Sequence, residues 1–394
     1  MATQTFNLPR REDYTRIAAA IESQNDLLRN HFKAAGETVV KSWEGFRNIC
    51  RAGGIRTYYA VGDQLQCKKG DATLTWDIVD IQDIESTGGN RVTLMLHNSF
   101  TTISFEPRQA IFQASQDIPA GTYHFKTPMD NVTDTAWTTN RGWTKTWQLT
   151  TTKTIPNGGV LCFTGGDMNY DTDFTQRTVS SYSNNASTTA IETMSITEAS
   201  GGTDLATLGS VNHGQRVCWG SNHWATSAFR QWLNSDKAAN AWWTAQTKFS
   251  RPSERAGLAG WMNGIDSDFL AVVTAQQITT KVNGIAESGG TETTLDKFWV
   301  PCQRNMNMDS DATEDTHVWE YFTKFRQDGK TGVNTGADSN RARYSLTGSL
   351  PWYWLRTPSL GYACDVRAVG GDADLRWGSA FDSSCAAVPA CAIE

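Results

Sequence analysis

Near its C-terminus the chain reads Trp352-Tyr353-Trp354-Leu355-Arg356-Thr357-Pro358, a run that few architectures can accommodate. Trp352, Trp354 and Leu355 make a bulky apolar cluster that calls for a compact core. Arg356, set among them, must give its N–H groups to backbone carbonyls. Those duties are structural, not catalytic. The rest of the chain has the same character, with 394 residues, 16 Trp, 33 Gly, 39% hydrophobic and 19% charged residues. This composition describes an ordered, aromatic-rich protein with many turns and room for two or three domains.

Charge and cysteine usage remove several function classes. Lys and Arg number 35 against 41 Asp and Glu, a formal charge of −6. No basic stripe is present, so nucleic acid is not an expected partner. The eight Cys (50, 67, 162, 218, 302, 364, 385 and 391) contain no CxxC pair, which argues against a zinc ribbon or a thioredoxin-type site. They are too dispersed for a disulfide scaffold, although the proximity of Cys364, Cys385 and Cys391 leaves pairing open. The first residues lack the apolar core of a signal peptide, and no apolar stretch is long enough to span a bilayer.

Along the chain, Tyr14 to about Ala35 is expected as an amphipathic helix, with Ile17, Ile21, Leu28 and Phe32 at helical spacing. It is either a single helix packed on the body or a short oligomerisation helix. A second helix is predicted over Val40–Arg51, ended by Gly53-Gly54. Three antiparallel strands are predicted over 58–65, 74–81 and 92–97, joined by turns at Lys68–Asp71 and Gly88–Asn90. The Thr-, Ser- and Asn-rich stretch 105–205 reads as an all-β, sandwich-like insertion, with strands near 121–126, 147–153, 160–163 and 190–197. Beyond it come a short helix at Ser227–Asn234, strand or turn structure at 269–278, and a short buried strand at Lys297–Pro301.

Enzymatic and metal motifs are missing. The six His show no HExxH spacing, no Gly-x-Ser-x-Gly or Walker A occurs, and His223 reads as a structural residue. Asn305, Asn307, Asp309, Asp311, Glu314 and Asp315 crowd oxygen atoms. Ser310 occupies the place of the glycine that an EF-type calcium loop requires, so a solvated acidic loop is expected. No cofactor and no metal site is expected.

Several phrases, taken in order, resemble a family of lectin-fold domains that includes the variable proteins of diversity-generating retroelements. They are Val61-Gly62-Asp63 with Trp76–Asp80; Gly220-Ser221-Asn222-His223-Trp224 running into Ser227–Asn234; Phe298–Pro301 with Glu320-Tyr321-Phe322 and Asn340–Arg343; Trp352–Pro358; and Val388–Ile393. Together they cover 40–104 and 206–394, about two thirds of the chain. The resemblance implies an α+β chain with a C-type lectin (formylglycine-generating-enzyme-like) fold, interrupted by the β insertion and preceded by a helical attachment segment, 1–39.

The resemblance also assigns a role to 359–387. In that family, codons for Asn randomised at their adenines yield Ser, Gly, Tyr, Cys, Asp, Ala, Arg or Phe. That set occupies Ser359, Gly361, Tyr362, Cys364, Asp365, Ala368, Asp374, Arg376, Gly378, Ser379, Phe381, Asp382 and Cys385. These thirteen are the expected ligand-binding residues, facing solvent on a rigid scaffold. Trp is outside that set, so Trp377 is expected as scaffold. The implied function is receptor binding by a retroelement-diversified adhesin, with a bacterial surface protein or glycan as ligand. The same reading places the chain in a virion, as part of a phage tail or other particle, or on a bacterial surface. It is compatible with a homo-oligomer such as a trimer. The alternative is a structural tail or fibre protein whose lectin domain only mediates assembly. A formylglycine-generating activity, for which Cys385 and Cys391 could be mistaken as the reactive pair, ranks last because the surrounding motifs differ.

Overall fold

The computed structural model describes residues 42–106, 222–244, 255–283, 289–309, 317–324, 339–360 and 365–394. It also describes strands between 110 and 204, and positions 117, 119, 120, 154, 246, 253 and 313–315. The helix predicted for 14–35 lies outside them. The described residues are mixed α+β, mostly strands with few helices.

Helix α1 spans Trp43–Arg51, one turn shorter at its start than predicted, because Ser42 caps it by accepting from the Gly45 N–H at 3.1 Å. Gly53 ends it at φ +70, where a Cβ would meet the Gly88 carbonyl oxygen at 2.3 Å. The strand expected from Tyr58 starts later. Ile55–Tyr58 instead forms a helical turn, α2, whose buried Ile55 N–H is held by Asn90 Oδ1 at 3.2 Å. That tertiary contact overrides the local alternation.

The main sheet is antiparallel. Strands β1 (Gln64–Lys69), β2 (Ala72–Ile84) and β3 (Gly89–Leu96) form a three-strand antiparallel unit as predicted, with turns at 70–71 and 85–88, so that Lys68, Lys69, Gly89 and Asn90 lie in strands and not in the predicted turns. The C-terminal strand β19 (Ala390–Ile393) pairs with β3, and β13 (Val273–Thr274) pairs with β19, giving the order β1-β2-β3-β19-β13. A register shift between Ile78 and Asp80 bulges β2. The segment 269–278, expected as strand or turn, begins as helix α4 (Ser267–Val272) before β13 and the hairpin β14 (Gln276–Lys281) and β15 (Thr291–Asp296).

Between 110 and 204 the strands form two further sheets. One contains β4 (Ala110–Gln113), β7 (Val160–Phe163), β9 (Ser181–Ser183) and β10 (Thr188–Thr189). The other contains β5 (Gly121–Pro128), β6 (Thr144–Thr151), β8 (Arg177–Thr178), β11 (Met194–Glu198) and β12 (Thr203–Asp204). Their pairings are antiparallel except β5 with β12.

A chain of buried rings joins the two stretches that the sequence phrases linked. Trp76 on β2 lies 5.4 Å from Phe269 and 6.4 Å from Trp261, centroid to centroid. Trp261 lies 5.7 Å from Trp232 on helix α3 (Ala228–Leu233), and Trp232 stacks on Phe229. Phe105 then bridges Phe229 to Trp354. Such ring pairs add about 0.5–1.5 kcal/mol each beyond the area they bury. Phe298, Trp299 and Val300 are buried as predicted, but they make only an isolated bridge, Trp299 to Ala390, and no strand.

Candidate functional site

The C-terminal region is a three-stranded antiparallel sheet, β16 (Tyr353–Pro358), β17 (Asp365–Val369) and β18 (Leu375–Ser379), on a deeply anchored base. Arg356 is 1% exposed and acts as the predicted donor. Its guanidinium gives hydrogen bonds to the Val300 carbonyl and to Asn305 Oδ1, both at 2.9 Å, and approaches Asp315 Oδ2 at 3.3 Å. Trp354 donates its indole N–H to the Ile103 carbonyl at 2.7 Å, and Tyr353 its hydroxyl to the Arg341 carbonyl at 2.7 Å. Trp352 departs from expectation. Its neighbours face the core, while its own side chain is 40% exposed.

The predicted acidic loop is only partly solvated: Asp309 and Asp315 are part-exposed, while Asn305 and Glu314 are buried. Asn305 is buried and donates to Asp315 Oδ2 and to the His317 carbonyl, both at 3.0 Å. Glu314 is buried and accepts from Thr357 Oγ1 at 2.5 Å. Burial pushes its carboxyl above the usual range, against Arg356, Thr357 and Lys281. Asp311 lies outside the described residues. Among those described, no group of three or more His, Cys, Asp or Glu side chains could hold a metal ion.

Two buried amides pin the backbone on either side of 361–364. Asn222 Nδ2 donates to the Asp365 carbonyl at 2.9 Å and to the Ser359 carbonyl at 3.3 Å. Asn283 Nδ2 donates to the Ser359 carbonyl at 2.8 Å. Asn222 belongs to a phrase the sequence singled out, but nothing local announces its partners more than a hundred residues away. We expect Asn283→Ala to cost about 1–2 kcal/mol, the penalty for unsatisfied buried carbonyls, measured as a lowered urea midpoint. An unchanged midpoint would show that the clamp is dispensable.

The thirteen expected ligand-binding residues divide by burial. Gly361, Tyr362 and Cys364 lie outside the described residues. Asp374, Arg376, Phe381 and Asp382 are partly exposed. Ser359, Asp365, Ala368, Gly378, Ser379 and Cys385 are buried, where the sequence reading had them facing solvent. Asp365 and Ala368 lie on β17, the middle strand of the sheet, where Arg367 is the only side chain not buried. Asp365 stands directly opposite Ser379, whose hydroxyl donates to it at 3.3 Å. Gly378 lies over Trp354, where a Cβ would meet the indole at 3.3 Å. Cys385 and Cys391 are both buried free thiols, and burial pushes the ionisation of each well up.

Other side chains are exposed instead. Trp377, expected as scaffold, is 38% exposed and stands opposite Arg367 in register. Arg376 pairs with Asp374 at 3.0 Å and with Asp372 across the hairpin turn. Of the six large hydrophobic residues exposed among those described, five (Tyr344, Leu346, Trp352, Leu360 and Trp377) fall between 344 and 377.

The family model for a domain of unknown function, DUF6273, matches residues 177–394. The chain belongs to the DUF6273 family. No curated protein and no solved structure matches it. The DUF6273 match includes β16–β18 and the two clamping Asn residues, but it excludes β1–β3, which supply three of the five strands of the main sheet. The matched segment therefore completes its sheet with residues that precede it. No helix of the described residues is long and apolar enough to cross a membrane.

A pH-dependent contact lies behind this face. His317 Nε2 meets the buried Asp80 carboxylate at 2.8 Å, and that hydrogen bond raises the imidazole pKa above its ordinary value. A raised folded-state pKa stabilises fully below the unfolded value, about 6.5, and the gain is lost as pH rises through the folded value. The stability gap between the native chain and His317→Gln should therefore be wider at pH 5.5 than at pH 8.5. Thermal melts at the two pH values measure it, and equal gaps would refute the pairing.

Proposed function

We propose that this DUF6273 protein is a binder whose β16–β18 face presents interchangeable side chains to a ligand on a bacterial surface, protein or glycan. The observation that carries the reading is the contrast between the buried C-terminal sheet and the exposed side chains on and around it. Exposed Trp352, Leu360 and Trp377 and the partly exposed Asp374, Arg376, Phe381 and Asp382 stand on a backbone held by Arg356, Asn222 and Asn283. Exposed apolar surface of this kind marks interaction sites, and Trp, Tyr and Arg are the usual anchors. A rigid base lets such positions change without loss of fold.

With this reading go diversification by a retroelement and a C-type lectin scaffold, both carried by the sequence phrases. Their residues Trp76, Trp224, Trp299 and Trp354 lie in one buried cluster. A place in a phage tail or comparable particle belongs to the same proposal.

The test is to sequence this gene from sibling isolates. Substitutions should concentrate at 374, 376, 381 and 382 and avoid 365, 368, 378 and 385. A tail identical in every isolate would sink diversification and leave an assembly domain. Purified protein should also adsorb to host cells, and a Trp377→Ala/Phe381→Ala variant should lose about tenfold or more of that affinity with its melt unchanged. Undiminished adsorption would remove the face from the ligand.

A further inference from the structure

The molecule holds a second concave site that shares no residue with the display positions. It is a cavity of about 260 Å³ between Gln82, Arg91 and Thr93 of the β2–β3 hairpin, the start of β14, and the segment leading into helix α5 (Glu320–Lys324). Gln82, Arg91 and Thr93 line one side, and Gln276 and Gln277 another. Two buried tryptophans, Trp299 and Trp319, close the wall beside Asp315 and His317.

Each formal charge in this wall already has a partner. Arg91 is paired with Glu394, which also accepts from Gln276 at 3.0 Å. Asp315 is paired with Arg356 at 3.3 Å, and His317 with Asp80 at 2.8 Å. A charged ligand would find no unmatched counter-charge here, and it would have to break a pair to enter. What the cavity does offer is neutral hydrogen-bonding capacity. The side-chain amides of Gln82 and Gln277 and the indole N–H groups of Trp299 and Trp319 have no hydrogen-bond partner among the described residues, and none of these groups is sealed away. Gln side chains both donate and accept, which suits hydroxyl groups that do the same.

Size narrows the ligand further. Pockets for drug-sized molecules start near about 300 Å³, so this one suits a single ring with its substituents. The geometry points to a binding site for a neutral polyhydroxylated ligand the size of one monosaccharide unit, held by the Gln82 and Gln277 amides against the walls of Trp299 and Trp319. No metal is required, because the polar contacts come from side chains already in place.

The test is ligand-observed saturation-transfer NMR on the full chain. The probes are the methyl glycosides of glucose, galactose, mannose, fucose, xylose and N-acetylglucosamine, with methyl phosphate and glycine as charged comparators. At least one glycoside should bind in preference to methyl phosphate and glycine. Gln82→Ala/Gln277→Ala should then weaken it about tenfold, the loss expected from about two hydrogen bonds, with the melting temperature unchanged. Trp377→Ala, on the display face, should leave glycoside binding intact, so failure of the display reading and failure of this one are separable. Three results would overturn the assignment: no transfer to any glycoside, stronger binding of methyl phosphate or glycine, or glycoside binding undiminished in the double variant.

Discussion

Replacing Arg356 with methionine should lower the stability of the C-terminal domain by about 3–5 kcal/mol, read as a fall in the urea midpoint. Methionine fills comparable space, so the loss would come from the polar groups left behind. The guanidinium satisfies the Val300 carbonyl and the buried Asn305 amide oxygen, and it faces the Asp315 carboxylate. Asn305 in turn holds Asp315, the His317 carbonyl and the Cys302 N–H. One side chain thus ties the β16 strand to Val300, Asn305 and Asp315. Arg356→Lys should recover only part of the loss, because a single ammonium cannot reproduce the planar fork. A methionine variant within about 1 kcal/mol of the native chain would mean that these contacts are solvated or replaceable.

That contact also explains what could and could not be read from the sequence. Burial of Trp354, Leu355 and Arg356 was legible because the residue types leave few options. The hairpins β1–β3 were legible because Gly70 and Gly88 mark their turns and the apolar alternation is regular. The acidic loop was not. Asn305 and Glu314 carry local signs of solvation, and only the distant Arg356 and Thr357 draw them inward. The helical turn at Ile55 has the same cause, a cap supplied by Asn90 from another element.

The display segment failed in a more instructive way. Its mixture of Asp, Ser, Gly and Ala reads as loop, yet it contains two paired strands, β17 and β18, the first of them mostly buried. Asp365 and Ser379 can be interior because they face each other across the ladder, and Ala368 because Trp354 and Arg376 flank it in register. Polar residues paired across a ladder leave no trace in a hydrophobic pattern. The clamp by Asn222 and Asn283 escaped for a related reason, since amides that hold carbonyls across long sequence separations look like any surface Asn.

Neighbouring positions 377 and 378 should therefore respond in opposite ways to substitution. Gly378→Tyr is expected to cost about 3 kcal/mol, the upper end for overpacking a filled interior. Its new Cβ meets the Trp354 indole at 3.3 Å and Cys385 Sγ at 3.9 Å. Trp354 cannot retreat without giving up its hydrogen bond to the Ile103 carbonyl and its contact with Phe105. Trp377→Ala, one residue away on the outer face, should stay within about 0.5 kcal/mol of the native stability, as surface substitutions do. Saturation of each position in turn, scored by protease resistance, would show the contrast directly. Position 377 should accept most residues and 378 only the smallest. If 378 accepts large side chains as readily as 377, the sheet is not the rigid base described here, and the whole segment must be treated as one deformable surface.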